Sequence, residues 1–591
     1  MKMKKFIKRF LIVLLLTLCL GVSFNVSAAR GQGGGYMYDS KGQLIESSVG
    51  YTVTEENIFN ILSDSWKEGF EKDGTIFNSP SDLFLFKDKE TEEEIIYITD
   101  SASNKLFIFD ESLNYQSTID TFEVDPSEFS IVELSVINTS TDNKTTSKFW
   151  NETNSTNWAN VKENWDEISK IPFEEREENQ KFFIKCLSLS GVYRSERPIR
   201  DEAGKILLDE KGLTRYEKVL YLCDAGNKQI VVVDAETYKV KQIVSDPGIF
   251  KNESGEAVAF APTKMVIDSM GRMYVIAQNI YQGILLMNYD GTFMTYYGVN
   301  YTTLSFWDAL KRSRKTEEQL AQETTILPTS FTNLAIDADG FLYTVSGPSK
   351  NADGSYNTDS MIKKINSTNS DVLKKNGYSK PIGDLITIKT GANAGTSSFV
   401  AITINDFGVY TVADSKGNRL FTYDNEGNLL YISGGSGNQI TDIKNPVAIA
   451  YQGENILVLD KLNKCVMRYT PTEFAQNINK AVYYEYIGDS TRAADEWQNV
   501  INRNKSYELA YVGVGKKYYD EKRYLDAMEY FKNGADVKYF SRAYKLYRDD
   551  IIAEYVPIVL SLGLVAVGAA VVLKVVKKFK GKNPKIEDGE L

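Results

Sequence analysis

The side chains that could do chemistry in this 591-residue chain are carboxylates, thiols, hydroxyls, amides and lysines, because the sequence contains no histidine. The absence of imidazole excludes Ser-His-Asp and Cys-His catalysis, zinc sites that use histidine, and a histidine proton switch near neutral pH. The sequence assigns no catalytic residue, no cofactor and no set of metal ligands.

Four aspartates recur at one position of a repeated pattern: Asp100, Asp224, Asp414 and Asp460. Each is the second residue of a segment that also has Asn at its fifth or sixth position, followed by an apolar run ending in Asp or Thr. Asp and Asn side chains cap tight turns through local backbone hydrogen bonds. Because the carboxylate recurs with the pattern, we predict turn capping in preference to ligand binding. The segments are 99–110, 223–234, 413–424 and 459–470.

The pattern of these segments predicts the secondary structure elements that position the four aspartates. In each one an apolar strand runs into the turn and a second, alternating strand follows, which is typical of a β-hairpin. Degenerate copies at 262–298 and 327–365 bring the number of units to six. Four-stranded sheets that cannot bury their faces alone close radially into a propeller. We therefore predict a mainly β fold with a six-bladed β-propeller over 80–472.

The units resemble NHL repeats, which build propellers. The likeness rests on a Pro, then Ile-Asp-x-x-Gly-x-hydrophobic-Tyr, then Asp-x-x-x-Asn-x-hydrophobic, and it covers about residues 80–471. Two units depart from it, at 278–280 and 346–348. The gluconolactonase-like hydrolases are similar propellers, and that resemblance implies a divalent metal held by Glu, Asn and Asp at the channel mouth. The early Glu-Gly-Pro of that family is replaced here by Asn78-Ser79-Pro80.

Two insertions interrupt the predicted blades, at about 124–180 and 301–326. The first is rich in Asn, Ser and Thr and carries three tryptophans. Flat aromatic rings in a polar stretch suit stacking on sugar rings. The alternative is that the rings dock the insertion onto the propeller. The three residues are Trp150, Trp158 and Trp165.

A helical domain is predicted over 473–554, where the hydrophobic period changes from two to three or four. Superposing the chain on itself at 34 residues pairs Ala493 with Ala527 and Trp497 with Phe531. This period and pattern resemble tetratricopeptide repeats. The resemblance implies paired helices that either bind a peptide or space the propeller from the membrane.

The two ends indicate export and anchoring. Residues 1–28 have the basic start, apolar run and small-residue end of a signal peptide. Residues 29–79 are expected to lead into the propeller. The uncharged run 556–573 predicts a transmembrane helix over 555–574, and the lysine-rich segment 575–591 is expected to stay in the cytoplasm. The protein is thus predicted to cross the cell membrane once, with its N-terminal domains outside.

The charge of the chain limits the classes of partner that it can bind, and its cysteines have the pattern of buried residues. The chain has 68 Lys and Arg against 79 Asp and Glu, a net charge of −11, and its two ends contain more basic than acidic residues. The exported part is therefore more acidic still, which excludes nucleic acid as a partner. Outside the signal peptide, Cys186, Cys223 and Cys465 lie in apolar runs typical of buried small hydrophobes. A bridge between Cys186 and Cys223 is left open.

The order of segments is similar to that of exported NHL-propeller proteins that accompany bacterial ABC-type sugar transporters. The likeness includes the short stretches 33–42 and 48–51. It implies an extracytoplasmic accessory of an importer, with ABC permease subunits as protein partners and carbohydrate as ligand. The alternatives are a tethered lactone hydrolase that uses a divalent metal, and a surface assembly scaffold that works through its helical repeats.

Overall fold

The structure is a computed structural model. It describes residues 35–125, 162–298, 329–350 and 356–580, apart from positions 75, 89–90, 173–174, 178–179, 181, 202, 253–254, 390 and 392. The predicted signal peptide, Trp150, Trp158 and the insertion at 301–326 lie outside the described residues. The chain divides into two compact units, one made of residues up to 37 with 48–472, the other of 38–47 with 473 onward.

Short elements precede the blades in the chain. These are β1 (Tyr36–Tyr38), β2 (Leu44–Glu46), β3 (Tyr51–Thr52), a 3-10 turn (Glu55–Asn57), β4 (Ile58–Phe59) and helix α1 (Asp64–Asp73). The residues of β1 and β2 that fall within 38–47 belong to the second unit. The α1 side chains Trp66 and Phe70 are buried, and the Trp66 indole N–H donates to the carbonyl of Leu113 at 2.7 Å. Helix α1 therefore belongs to the propeller core.

Six antiparallel sheets follow one another along the chain, which confirms the predicted six-bladed propeller. Blade 1 comprises β5 (Pro80–Lys87), β6 (Glu94–Asp100), β7 (Lys105–Asp110) and β8 (Tyr115–Ile119). The first insertion contributes β9 (Thr121–Glu123), a 3-10 turn (Lys162–Asn164), α2 (Trp165–Ile168) and β10 (Phe183–Lys185), and β9 pairs with β10. Blade 2 comprises β11 (Leu189–Pro198), β12 (Tyr216–Asp224), β13 (Gln229–Asp234) and β14 (Val240–Ser245).

Blades 3 and 5 repeat the four-stranded order, whereas blades 4 and 6 have three strands of their own. Blade 3 comprises β15 (Pro262–Ile267), β16 (Met273–Ala277), β17 (Ile284–Met287) and β18 (Phe293–Tyr297). Blade 4 comprises β19 (Phe331–Ile336), β20 (Leu342–Ser346) and β23 (Ile362–Ile365), with a small hairpin of β21 (Ser349–Lys350) and β22 (Tyr356–Asn357) between them. Blade 5 comprises β24 (Phe399–Ile404), β25 (Tyr410–Asp414), β26 (Arg419–Tyr423) and β27 (Leu429–Gly434), and blade 6 comprises β28 (Pro446–Gln452), β29 (Asn455–Asp460) and β30 (Cys465–Pro471).

The ring is closed by the N-terminal strands. Blade 6 has only three strands of its own, so the outer edge of β30 would offer unpaired backbone groups. Strand β3 pairs with β30 through Tyr51 opposite Pro471, and β4 pairs with it through Ile58 opposite Met467. Part of the segment expected only to lead into the propeller therefore completes its last sheet.

The blades are held together by apolar side chains packed between neighbouring sheets. One buried cluster joins blades 1 and 2, another joins blades 2 and 3, and a third joins blades 3 and 4. A fourth cluster joins blades 6 and 1 with α1. The inner strands form a closed circle, because each contacts the inner strand of the next blade and β28 contacts β5. Burial on both faces of each blade is what a single sheet could not achieve alone.

The second unit contains two helix pairs and one long helix. The helices are α3 (Glu473–Tyr486), α4 (Ser490–Arg503), α5 (Glu508–Asp520), α6 (Tyr524–Asn533) and α7 (Val537–Lys580). Close packing depends on small residues, since a side chain at Gly513 would clash with Trp497 and one at Gly515 with Phe531. The N-terminal segment also belongs here: the Ser40 backbone N–H donates to a carboxylate oxygen of Glu508 at 2.6 Å.

Helix α7 is longer than the predicted span and has two different halves. Its first half packs on the helix pairs, where Ala543 is buried with Val512, Ala527 and Phe531. Its second half is apolar and fully exposed, and it is long enough to cross a membrane. Pro557 lies inside this helix without breaking it, and the Ser561 hydroxyl donates to the Pro557 carbonyl at 2.9 Å. The described chain thus contains one helix able to serve as a single membrane span.

Candidate binding site in the central channel

The six inner strands share an irregularity near their first residue, and in four of them the residue at the third position lines the central channel. In every blade the pairing of the inner strand with the second strand shifts register between the first and third residues. Such a bulge leaves the second residue unpaired and re-aims the third. The third residues, in blade order, are Asp82, Gly191, Lys264, Asn333, Ala401 and Ala448.

The bulged second residues connect neighbouring blades in half of the ring. The Ser81 hydroxyl donates to the Leu189 carbonyl at 3.0 Å, and the Ser190 hydroxyl donates to the Pro262 carbonyl at 3.0 Å. The Thr332 hydroxyl donates to the carbonyl of Phe399, in blade 5, at 2.8 Å. Valines take this position in blades 5 and 6. The hydroxyls link the inner strands at three of the six blade junctions.

The channel encloses a cavity of about 280 Å³, lined by all six inner strands. Across it, Lys264 of blade 3 pairs with Asp82 of blade 1 and also donates to the Ser81 carbonyl at 2.8 Å. The second Asp82 oxygen accepts from the Val192 backbone N–H at 3.1 Å. The intervening blade contributes Gly191, where a Cβ atom would clash with the Thr263 carbonyl oxygen.

The ion pair is buried and leaves the cavity neutral. The side chains of Asp82 and Lys264 are only 11% and 12% exposed. Burial raises the pKa of the Asp82 carboxyl above its usual value, and the Lys264 ammonium, which lowers it, opposes that shift only in part. No other charged side chain is among the described residues that line the cavity.

Asn333 stands on the opposite side of the ring from Asp82. Its side chain lines the cavity, the residue is only 7% exposed, and the amide has no hydrogen-bond partner among the described residues. Apolar residues, among them Ala448, Phe84 and Tyr193, also line the cavity. The surface that the cavity exposes is nevertheless more polar than apolar, so the site offers mainly hydrogen-bonding groups together with a smaller apolar part.

The repeated aspartates cap turns, as predicted. The Asp100 carboxylate accepts four backbone N–H groups, those of Asn78, Ser79, Ala102 and Ser103, at 2.6 to 3.0 Å. It thus ties the turn of its own blade to the segment that enters the blade. The other three aspartates accept from the corresponding groups in their blades. Their carboxylate oxygens are occupied by the backbone.

The same turns contain a backbone position that favours glycine or asparagine. The residue four places after each capping aspartate has a positive φ, between 50° and 60°. Two blades place asparagine there and two place lysine, for which this left-handed conformation costs energy. The four residues are Asn104, Lys228, Asn418 and Lys464.

Metal ligands are not brought together by the part of the chain that the structure describes: no group of three or more Asp, Glu or Cys side chains there could hold a metal ion. Segment 78–80, which stands where the gluconolactonase-like family has Glu-Gly-Pro, supplies backbone N–H groups to Asp100 instead.

Trp165 is the one predicted stacking residue that the structure describes. It is 4% exposed, its indole N–H donates to the Asp125 carboxylate at 2.5 Å, and it packs against Phe182 within the cluster between blades 1 and 2. This placement corresponds to the docking alternative. A ligand-stacking role for Trp150 and Trp158 stays a prediction.

The three described cysteines are free and buried, so the bridge left open between Cys186 and Cys223 is not formed. Burial raises the pKa of all three thiols above the usual value, which keeps them protonated and unreactive near neutral pH. They pack as small hydrophobic residues.

A second cavity of about 500 Å³ lies between blades 2 and 3, at the ends opposite the capped turns. Most of its charged side chains pair with each other or with the backbone. Arg197 donates to Glu217 at 2.7 Å and to Gln242 at 2.6 Å, and Arg200 donates to the carbonyls of Gly204 and Met270, while its buried Nε has no partner among the described residues. The central cavity is the stronger candidate because all six inner strands line it.

The polar residues of the channel site were not predicted from the sequence. Asp82, Lys264 and Asn333 differ in type, so no repeated letter marks them. The signal that could have found them is positional, because each is the third residue of an inner strand. Aligning the six inner strands by their first residues would have brought these three side chains to one position.

Comparisons with known proteins give one short sequence likeness and several weak structural likenesses. No protein-family model matches the chain. A stretch of 85 residues is 28% identical to human tetratricopeptide repeat protein 6, over 14% of this chain and 16% of that protein.

Solved structures give weak likenesses over much of the propeller. Virginiamycin B lyase from Staphylococcus aureus is 11% identical, with a TM-score of 0.28, and the match covers 66% of this chain and 84% of that one. The Malassezia sympodialis allergen Mala s 1 is 10% identical, with a TM-score of 0.32 and coverage of 66% and 92%. At these TM-scores the likenesses carry no argument about function.

Proposed function

We propose that this protein is a membrane-anchored, extracytoplasmic binding component, and that it serves as an accessory of an ABC-type importer, with carbohydrate as its ligand class. The observation that carries the anchoring part is helix α7. One continuous helix is packed on the helix pairs through Ala543 and then continues as a fully exposed apolar segment.

A continuous helix gives the second unit a fixed place at the membrane. An α-helix rises about 1.5 Å per residue, so the 18 residues before Tyr555 extend about 27 Å. No flexible linker separates the packed part from the apolar part, since α7 runs from Val537 to Lys580. The helix pairs would therefore stay beside the bilayer, where permease subunits lie.

The lysines that follow the apolar segment support the proposed orientation. Lys574, Lys577 and Lys578 come directly after it, and positive flanks favour the cytoplasmic side. The propeller would then be outside the cell. A single span is too simple to move solute by itself, so a binding role beside a separate transporter suits this arrangement.

The test is purification of the full chain from native membranes after mild crosslinking, with identification of the recovered proteins by mass spectrometry. We expect enrichment of permease and ATPase subunits. A matched control replaces residues 556–573 with leucines, which keeps the anchor but removes specific packing of the span. Recovery of the protein alone would contradict the importer role and favour the tethered hydrolase or the scaffold.

A further inference from the structure

We infer that the cavity in the central channel binds one small, uncharged, polyhydroxylated molecule, of the size of a single sugar ring, and that Asn333 contacts it. This inference rests on the proposed binding function and assigns its site. The evidence for it is that two polar side chains lining the channel have hydrogen-bonding capacity that no other described residue uses.

Two side chains have hydrogen-bonding capacity to spare. The Asn333 amide carries two donors and one acceptor, and none has a partner among the described residues. The Lys264 ammonium has three donors, of which the Ser81 carbonyl and the Asp82 carboxylate take two. Both residues line the cavity, so a ligand hydroxyl that enters it can take up these spare hydrogen-bonding groups in place of water.

The charge balance favours a neutral ligand. Asp82 and Lys264 neutralise each other, and the described lining offers no other ionised group. A charged ligand would have to compete with this ion pair in a site largely removed from water, where an unpaired charge is costly. Hydroxyl groups can use the spare donors without breaking the pair.

The volume of the central cavity and the composition of its wall fit a ligand of the size of one sugar ring. The cavity of about 280 Å³ lies just below the roughly 300 to 1,000 Å³ that is usual for drug-sized ligands. The wall is more polar than apolar, which suits a ligand with many hydroxyl groups, and Phe84, Tyr193 and Met265 contribute to its smaller apolar part.

The fold itself does not require an asparagine at position 333. Blades 5 and 6 carry Ala401 and Ala448 at the same register position, and both are buried in intact blades. Blade 4 would therefore accept alanine too. This makes Asn333→Ala a clean test, because it removes the polar group without an obvious structural cost.

The experiment is isothermal titration calorimetry of the full chain in lipid nanodiscs. The neutral probes are D-glucose, D-galactose, D-mannose, D-xylose and myo-inositol, and the charged probes are D-glucuronate and D-glucosamine. We expect at least one neutral probe to bind and the charged probes to bind about tenfold more weakly or worse. Asn333→Ala should weaken the best neutral probe about tenfold or more, since a buried hydrogen bond is lost. Its melting temperature without ligand should be unchanged or higher.

The control variant is Asn114→Ala, in an exposed turn of blade 1, which should leave affinity unchanged. Failure of all five neutral probes to bind, tighter binding of a charged probe, or unchanged affinity in Asn333→Ala would each overturn the inference. A lower melting temperature in Asn333→Ala would overturn the assignment of Asn333 to a ligand, because it would indicate a structural role. These outcomes do not depend on recovery of permease subunits, which tests the proposed function separately.

Discussion

The buried ion pair between Asp82 and Lys264 makes a quantitative prediction about propeller stability. In Lys264→Met the aliphatic part of the side chain is kept and the charge is removed. The Asp82 carboxylate then stays 11% exposed with the Val192 N–H as its remaining contact across the blade junction. Removing one partner of a buried pair costs about 3 to 5 kcal/mol, because the other charge is left uncompensated.

A double-mutant cycle also requires a variant in which the Asp82 carboxylate is removed. Ala401 and Ala448 show that alanine is accepted at the register position of Asp82. We expect the double variant Asp82→Ala with Lys264→Met to be more stable than Lys264→Met alone, with a coupling energy of at least about 2 kcal/mol. The pair would then be mutually compensating, with little net contribution to stability.

The pH dependence of Lys264→Met has a defined sign. Burial already raises the pKa of Asp82, and loss of the ammonium removes a group that lowers it. A raised acid pKa means that the folded state binds the proton more tightly than the unfolded state, so stability increases as the pH falls through the folded pKa. The cost of Lys264→Met should therefore be smaller at pH 5 than at pH 8.

The assay is urea unfolding of the full chain in micelles, combined with hydrogen exchange of peptides from β5 and β15. Exchange localises the effect, since a chain of two units need not unfold in one step. Additive effects of the two substitutions, or an equal cost of Lys264→Met at both pH values, would refute the reasoning about the pair.

Three further substitutions test the turns and the insertion. Lys228→Gly should stabilise the propeller by about 1 kcal/mol, because glycine adopts the positive φ of this position without strain; an unchanged or lower melting temperature would contradict this. Asp414→Ala should destabilise blade 5 by about 2 kcal/mol or more through loss of charge-assisted bonds to the Ser398 and Lys416 N–H groups, seen as faster exchange in 397–418, and uniform exchange would argue against capping. Trp165→Ala should cost about 3 to 5 kcal/mol by urea unfolding, and a cost below about 1 kcal/mol would show that the ring does not dock the insertion.

The sequence predicted the propeller because its signal is repeated. The capping aspartates and the strands around them recur at fixed spacing, and the structure uses them in the same way in four blades. Ring closure by β3 and β4 was not predicted, because each strand has two residues and carries no periodicity. The assignment of 38–47 to the helical unit rests on contacts such as Ser40 with Glu508, 468 residues apart in the chain.

The pairing of side chains in the candidate site was not predicted, for a related physical reason. Asp82 and Lys264 are 182 residues apart, and each lies in a strand whose pattern indicates only an inner, buried position. Their pairing depends on the closed circle of inner strands that sets the width of the channel, and Gly191 lets the backbone of the next inner strand come close at Thr263. The three tryptophans of the first insertion were predicted to stack on a ligand because of their residue type, yet Trp165 is used in packing.

The most direct test of the membrane-anchored account is extraction and accessibility of the chain in intact cells. The full chain should stay in the membrane fraction after alkaline carbonate treatment, and a tag placed after Lys41, in the exposed turn between β1 and β2, should be labelled by an impermeant reagent from outside. A chain ended after Asp550 should be released into the soluble fraction. Carbonate extraction of the full chain, or protection of the tag until the cells are broken, would contradict the account.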